Sequence, residues 1–349
     1  MMKLHNRKPD ITNLYKVLRR EEPSRPTLFE LFMNTPLYER LAGRKLLNPE
    51  GIDDEVAAFE NLKLMVEAYT AAGYDYATAR SSGFRFETRR GNREKDTISL
   101  NEGFVITDEK SYESYRWPKA AEHDFSRLEK IAPFLPEGMK LMIMGPGGVL
   151  ENVIALTGYD NLCFMLYDEP SLAEAIFNRV GEALLEYYRT VLDYDTVGLL
   201  MSNDDWGFKH QTFLSPADMR KHVFPWHKKF VELAHSKNIP ALLHSCGYAN
   251  DIMDDIIDDI KFDGKHSFED NIMTVEDSYE KWHNRIAILG GIDVDFLIQR
   301  SEEEITARCR AILERVQGRG GYALGSGNSV PEFVPQDNFI ALLKAALEF

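Results

Sequence analysis

A histidine and a cysteine stand two residues apart at the end of an apolar run, where they could bind one metal ion. The run spans residues 240–247, PALLHSCG, and carries His244 and Cys246. Side chains at positions i and i+2 of a β-strand point to the same face. Catalytic zinc takes three protein ligands of the imidazole, thiolate and carboxylate types, and Glu269 could supply the third. The pattern predicts a metal site of His244, Cys246 and Glu269; a buried, unreactive cysteine is the alternative.

Polar residues also follow other apolar runs and extend the set of candidate site residues. Asp204 and Asp205 end one run beside Trp206. Carboxylates there could bind substrate or transfer protons, although helix capping explains them nearly as well. We expect four residues to bind substrate: Arg80, Trp206, Asp293 and Asn328.

Four further histidines do not have the spacing of a metal motif. They lie on or near a charged helical pattern without the HExxH arrangement, so we expect solvated or capping roles for them. These histidines are His210, His222, His227 and His235.

Eight short apolar runs, most of them followed by a helical pattern, predict the fold. Short, fully apolar strands are typical of parallel strands covered by helices on the outside. Eight such units can close into a TIM (β/α)8 barrel, in which polar residues at the C-terminal strand ends converge on one face. An open doubly wound sheet is the alternative, but no glycine fingerprint follows the first run. The predicted strands are 27–32, 74–80, 139–144, 196–201, 240–244, 260–265, 286–290 and 322–324.

Helical periodicity and capping residues predict the helices between these strands. A capping box is expected at residues 171–174 (SLAE) and a serine cap at residues 301–304 (SEEE), while Ser215 before Pro216 is a further start signal. The glycines at 145–148 lack the ending of a phosphate loop and predict a tight turn. The predicted helices are 11–19, 53–72, 119–131, one from 171, 215–237, 251–258, 275–283, 301–316 and one from 335.

The domain organisation follows from these elements. We expect residues 1–349 to form a single α/β barrel domain preceded by an N-terminal arm at residues 1–26. Residues 83–107 alternate in polarity and contain Gly-Asn and Asn-Glu-Gly turns, which predicts a β-hairpin insertion over one mouth of the barrel.

Composition narrows the class of protein. The 41 basic and 56 acidic residues give a formal charge of 41 − 56 = −15, which disfavours binding to nucleic acid or to an anionic membrane surface. No apolar run approaches the length of a membrane span, and we expect no secretory leader, because residues 1–10 contain no apolar stretch of the required kind. Three cysteines in 349 residues are typical of a reducing compartment. We therefore expect a cytoplasmic protein that acts on a small molecule.

Four motifs in the C-terminal half resemble those of the uroporphyrinogen decarboxylase superfamily. They are HSCG at 244–247, KHSFED at 265–270, ILGGID at 288–293 and GSGNSVP at 325–331. The resemblance implies a TIM barrel. It does not extend to the arginine-rich N-terminal segment with which the decarboxylase branch grips its substrate, because the corresponding region reads PTLFELFMNTPLYERLAG.

The methyltransferase branch resembles the chain more closely. The resemblance implies zinc bound by His244 and Cys246, methyl transfer to or from a thiol or a corrinoid carried by a partner protein, and a later cysteine ligand where this chain has Ser326. Related methionine synthases have a glutamate ligand after the His-x-Cys pair, and Glu269 lies at a comparable position in this chain. The resemblance therefore implies a His244, Cys246 and Glu269 site, with Ser326 or Asn328 as a weak fourth ligand. Asp204, Asp205 and His266 would orient substrate or move protons. A metal-free decarboxylase and a non-catalytic binding barrel are the alternatives.

Overall fold

Seven parallel strands form the centre of the molecule. In the computed structural model, which describes residues 4–48, 53–89 and 99–349, they lie side by side in sequence order. Residues in β2 to β6 are almost all buried on both faces, as the apolar runs predict. The strands are β1 (Tyr76–Ala79), β2 (Lys140–Met144), β3 (Val197–Asn203), β4 (Ala241–His244), β5 (Gly264–His266), β6 (Ala287–Leu289) and β7 (Tyr322–Ala323).

The predicted first strand, at residues 27–32, is reduced to a single parallel bridge between Leu28 and Leu324. Phe29 N donates to Leu324 O (2.8 Å), which attaches this segment to the end of β7. On its other side, the backbone N and O of Glu30 both bond the Tyr76 hydroxyl of β1, at 2.7 and 2.6 Å. These hydrogen bonds to the Tyr76 side chain take the place of backbone hydrogen bonds to β1, so the segment is extended but is not a full strand. The seven strands and this segment together are consistent with a TIM-like barrel.

Helices follow most strands, as expected for βα units. The α-helices are α1 (Ile11–Leu18), α2 (Thr35–Ala42), α3 (Asp54–Ala72), α4 (Glu109–Ser114), α5 (Arg127–Lys130), α6 (Val149–Thr157), α7 (Tyr159–Asp168), α8 (Pro170–Val191), α9 (Pro216–Asp218), α10 (Phe224–Ser236), α11 (Val275–Trp282), α12 (Val294–Gln299), α13 (Glu302–Val316) and α14 (Gln336–Leu347). Short 3-10 and π-helical segments complete them: Ala120–Glu122, Ala132–Phe134, Met219–Val223, Asn250–Ile252 and Asp255–Ile260. None of the helices in the described chain is long and apolar enough to cross a bilayer.

The capping predictions were partly right. Ser301 and Glu304 form the expected capping box of α13, and Ser215 Oγ accepts from Asp218 N (3.1 Å) at the start of α9. The box predicted at Ser171 is wrong, because α8 already begins at Pro170 and Ser171 lies inside its first turn.

Two predicted elements are displaced. The helix expected at 119–131 is broken, because Asp124 accepts from Ser126 N (2.8 Å) in a local turn before α5. The strand expected at 260–265 begins only at Gly264, because the preceding π-helical turn runs to Ile260 and ends at Lys261, whose φ is 68°.

The predicted hairpin insertion falls partly on residues 90–98, which lie outside the described residues. Its flanks, 83–89 and 99–107, contain no β-strand. One backbone hydrogen bond joins them, from Arg89 N to Gly103 O (2.8 Å).

Helix α1 covers the N-terminal ends of the strands. Ile11 N donates to Gly138 O just before β2 (2.9 Å), and the Tyr15 hydroxyl donates to Gly198 O in β3 (3.1 Å). Leu14 and Val17 of this helix are fully buried. Helix α1 therefore packs tightly against this face, and the opposite, C-terminal face is the one that can hold a site.

Candidate active site

His244 lies at the centre of a row of polar residues on the C-terminal face. In the sheet it is paired with Asn203 of β3 on one side and with His266 of β5 on the other. Parallel strands that end in register bring the residues that follow them together at one edge. Asp205, Cys246 and Ser267 therefore come from adjacent strand ends to one place.

Three side chains converge closely enough to bind one ion. Cys246 Sγ lies 3.5 Å from His244 Nε2, and Asp205 Oδ1 lies 3.9 Å from the same nitrogen. The ligand atoms of Asp205, His244 and Cys246 are all within 4.8 Å of one another. We call these three residues the donor cluster.

A glycine allows the loops that carry the donor cluster to touch. Gly247 has φ 80°, and a Cβ on it would lie 2.0 Å from Gly207 O. Only glycine fits this close approach. It leaves the β4 loop against the β3 loop, where Cys246 N donates to Asp205 Oδ1 (2.8 Å).

A chain of hydrogen bonds determines the tautomer of His244. His266 Nε2 lies 3.2 Å from Ser326 O, a carbonyl that can only accept, so His266 carries its hydrogen on Nε2. Its Nδ1 must then accept from His244 Nδ1, 2.9 Å away. Burial lowers the pKa of His244 to about 3 and the pKa of His266 well below its usual value, so both rings are neutral. His244 Nε2 is therefore left as a lone pair facing Cys246 and Asp205.

The Cys246 sulfur accepts two hydrogen bonds. Asn328 Nδ2 donates to it at 3.1 Å and Ser267 Oγ at 3.5 Å. Ser267 has φ 80°, a conformation that costs a non-glycine residue free energy and is often found at functional sites. Burial raises the pKa of the Cys246 thiol, so a bound cation or another positive charge is needed to favour the thiolate.

The ammonium group of Lys265 is buried at the C-terminal ends of β4 and β5. Lys265 is 3% exposed, and its Nζ donates to the backbone oxygens of Ser267 (2.7 Å), Ser245 (3.4 Å) and His266 (3.5 Å). Burial lowers its pKa to about 8. Sequence reasoning missed this residue; the only available signal was a lysine inside the strand-end motif KHSFED.

Glu269 lies beside the donor cluster but is not one of its three members. Its Oε1 accepts from Gly247 N at 3.2 Å. The carboxylate of the next residue, Asp270, forms a bidentate salt bridge with Arg308 (2.6 and 2.9 Å). Asp293 Oδ2 accepts from Asp270 N (2.8 Å), and its Oδ1 caps α12, so Asp293 supports the loop of Glu269.

Asp204 is fully buried and bonded on all sides. Its carboxylate accepts from Leu150 N (3.0 Å) and Glu151 N (2.8 Å) at the start of α6, and it contacts His227 Nε2 (2.8 Å). The expectation of a solvated or capping role for His227 is wrong, since the ring is fully buried and its Nδ1 contacts Ser202 Oγ (3.0 Å). Asp204 thus ties α6 to α10.

The remaining predicted residues are dispersed. Trp206 is fully buried against Phe224 and His227, and its Nε1 has no hydrogen-bond partner among the described residues. Arg80 is exposed. Ser326 is fully buried, and its hydroxyl contacts Glu30 and Asn328 O rather than the donor cluster.

The donor cluster offers ligand types that zinc takes, and one of its separations matches zinc coordination. Imidazole, thiolate and carboxylate are the ligands zinc takes in proteins, with bonds of about 2.3 Å to sulfur and about 2.0–2.2 Å to nitrogen and oxygen. Tetrahedral coordination then requires ligand atoms roughly 3.4–3.6 Å apart. The S–N separation of 3.5 Å meets this, and the N–O separation of 3.9 Å is close.

Comparisons with known proteins agree with this architecture. A methyltransferase from Methanosarcina mazei has a similar structure, with a TM-score of 0.68 and 19% identity over 100% of this chain and 99% of that one. A B12-independent methionine synthase from Shewanella sp. W3-18-1, in complex with selenomethionine, has a TM-score of 0.51 and 15% identity over 92% and 96% of the two chains. These likenesses show the fold.

The family is shown by sequence. No curated protein matches the chain. The family model for uroporphyrinogen decarboxylase (URO-D) matches residues 140–349, which is more than half of the chain and contains the donor cluster with all four C-terminal motifs. The chain belongs to the uroporphyrinogen decarboxylase family.

Proposed function

We propose that the protein is a zinc-dependent methyltransferase that moves a methyl group between a corrinoid protein and a thiol. The observation that carries the proposal is the donor cluster at the C-terminal face of the barrel. The fold likeness to a methyltransferase and to a methionine synthase supports the reaction class.

His244 and Cys246 are the first two proposed ligands, and Asp205 is the third. Asp205 is preferred to Glu269 because its carboxylate belongs to the donor cluster, whereas Glu269 is held by Gly247 N. Ser326 is not needed as a ligand, since its hydroxyl is bonded elsewhere. Three protein ligands would leave one position of a tetrahedral ion for a substrate, as in other catalytic zinc sites.

Zinc bound there would act as a Lewis acid that lowers the pKa of a substrate thiol and makes it nucleophilic at neutral pH. The chain's own residues prepare the site for this chemistry. Asn328 and Ser267 stabilise negative charge on the Cys246 sulfur by donating to it. His266 keeps the His244 Nε2 lone pair pointed at the cluster.

Asp205 and Asp204 have different roles in this proposal. Asp204 positions the β3 loop, because its oxygens are occupied by α6 and His227. Asp205 is itself a member of the donor cluster. Burial raises the pKa of its carboxyl, so a nearby cation is needed to favour the carboxylate.

Metal content tests the proposal. Wild type, Cys246→Ser and Cys163→Ser are purified without chelator and analysed by elemental mass spectrometry. Cys163 is exposed on α7 and serves as the control thiol. We expect about one zinc per chain in wild type and in Cys163→Ser, and clearly substoichiometric zinc in Cys246→Ser, which lacks the thiolate ligand. Absence of stoichiometric metal from all three proteins would contradict the zinc mechanism.

Turnover distinguishes the reaction classes. Free methylcobalamin and a small thiol serve as probes, since transfer of the methyl group to the thiolate leaves cob(I)alamin, which is followed by its absorbance. The proposal predicts turnover that requires zinc and His244. Decarboxylation of uroporphyrinogen without metal would instead support a carboxy-lyase, and tight corrinoid binding without turnover a non-catalytic barrel.

A further inference from the structure

Glu30 is a fully buried carboxyl group in the wall of the barrel. It lies in the extended segment 27–32 and is 0% exposed. Among ion pairs formed by described residues, none includes Glu30. The titratable groups that face it are the phenols of Tyr38, Tyr74 and Tyr76, and burial raises the pKa of each. Within the described ranges, Glu30 therefore has no ion-pair partner to balance an ionised carboxylate.

The hydrogen bonds around Ser326 require one more hydrogen than its hydroxyl supplies. Ser326 Oγ lies 2.8 Å from Glu30 Oε1 and also contacts Asn328 O. A hydroxyl has one hydrogen, and neither a carboxylate nor a carbonyl has any. If Glu30 is ionised, one of these two contacts brings two oxygen atoms together with no hydrogen between them. If Glu30 is neutral, it donates to Ser326 Oγ, and Ser326 donates to Asn328 O.

The other oxygen contacts of Glu30 are compatible with the neutral acid. Its Oε2 accepts from Ser326 N and its Oε1 from Leu31 N, both at 3.2 Å. These donors can be satisfied by the lone pairs of a protonated carboxyl group, which keeps acceptor capacity on both oxygens.

Ser326 connects Glu30 to two members of the donor cluster. Its carbonyl accepts from His266 Nε2, which sets the tautomer of His244. Its hydroxyl holds the backbone of Asn328, whose Nδ2 donates to the Cys246 sulfur at 3.1 Å. A substitution of Glu30 should therefore alter the hydrogen bond to the Cys246 sulfur through the turn that contains Ser326 and Asn328.

We propose that Glu30 is a positioning residue that acts as a neutral hydrogen-bond donor: it holds Ser326 so that Asn328 stays bonded to the Cys246 sulfur. This inference deepens the proposed function, because it concerns the same site, but it does not require that a metal be bound. In this chain, a buried acid and a serine organise the turn at which the related methyltransferases would carry a further cysteine.

The experiment compares Glu30→Gln and Glu30→Leu with Asn328→Leu, all in the Cys163→Ser background. Full-length protein is alkylated with iodoacetamide in the presence of chelator, and modification of Cys246 is followed by peptide mass spectrometry as a function of pH. A hydrogen bond to a charged sulfur stabilises the thiolate, so its loss should shift the profile upward by about one pH unit or more. We expect this shift in Asn328→Leu and Glu30→Leu, and a wild-type profile in Glu30→Gln, whose amide can still donate to Ser326.

Infrared spectroscopy gives a second readout on folded protein as purified. A neutral Glu30 predicts a protonated carboxyl stretching band at pH 6 that disappears in Glu30→Gln. The inference is overturned if this band is absent, if Glu30→Gln shifts the alkylation profile as far as Glu30→Leu, or if Glu30→Leu leaves the profile unchanged while Asn328→Leu shifts it. None of these outcomes depends on zinc, so failure here is distinguishable from failure of the proposed function. If Glu30→Leu does not fold, the infrared band and Glu30→Gln still decide.

Discussion

At the scale of single residues, the donor cluster combines a neutral imidazole, a thiol and a carboxyl group that burial keeps from ionising alone. Burial lowers the pKa of His244 and raises those of Cys246 and Asp205. All three shifts favour the uncharged forms, and a divalent cation would reverse the preference of the two acids. The donor cluster is thus chemically incomplete without a positive charge.

Glu30 should make the stability of the protein depend on pH. Burial raises the pKa of its carboxyl to about 8 in the folded chain, above the usual value of roughly 4.3 in the unfolded chain. Between these values the folded state binds more protons than the unfolded state, so stability falls as pH rises from about 4.5 to about 8. We expect Glu30→Gln to remove this part of the slope, on the order of a few kcal/mol across the window.

Urea denaturation at several pH values between 5 and 9 measures this dependence. Glu39→Gln is the control, because Glu39 pairs with Lys45 at the surface and should not alter the slope in this window. A wild-type slope that persists in Glu30→Gln would show that other groups cause it.

At the scale of elements, Lys265 joins the ends of two strands. Its ammonium donates to backbone oxygens on both the β4 and β5 loops. In Lys265→Met these buried carbonyls would lose their donor, so we expect a loss of about 1–3 kcal/mol in the free energy of unfolding. Lys228→Met removes an exposed pair with Asp259 and should change the free energy by about 0.5 kcal/mol or less. Equal effects in the two variants, measured by urea denaturation, would rule out the anchoring role.

The helix starts provide a matched pair of serines. Ser301→Ala removes the cap of α13 and should cost about 1 kcal/mol. Ser171→Ala should cost much less, because α8 starts one residue earlier and Ser171 caps nothing. Thermal denaturation of both variants checks this order, and a larger loss in Ser171→Ala would contradict the observed start of α8.

Sequence patterns predicted elements whose signals are local. Helical periodicity and caps identified α3, α13 and the start of α9 to within a residue or two. The strand at 27–32 was overestimated because its backbone groups are bonded by the Tyr76 hydroxyl, a contact between residues far apart in the chain. The π-helical turn before β5 likewise has no local signal that distinguishes it from an α-helix.

In the candidate site, too, sequence patterns predict only the proximity of residues that are near one another in the chain. His244 and Cys246 could be paired from sequence because they are two residues apart on a strand end. Their proximity to Asp205 depends on the register of β3 against β4 and on the contact of Gly247 with Gly207, neither of which is visible in the chain alone. Glu30 and Lys265 were missed for the same reason, since Glu30 contacts Ser326 and Lys265 contacts Ser245, and both serines follow other strands.

At the scale of the whole molecule, the two faces of the barrel have different roles. Helix α1 covers the N-terminal face with buried apolar residues, and the donor cluster occupies the C-terminal face. This division is the one that TIM barrel enzymes show. In the proposed function, the substrate thiol and the corrinoid partner would bind at the C-terminal face.

Whether the donor cluster binds zinc can be seen in a crystal structure of protein purified without chelator, with diffraction data recorded above and below the zinc absorption edge. Bound zinc would give an anomalous peak about 2.3 Å from Cys246 Sγ and about 2.0–2.2 Å from both His244 Nε2 and an Asp205 oxygen. A map with no peak within bonding distance of His244 and Cys246 would contradict the proposed zinc site.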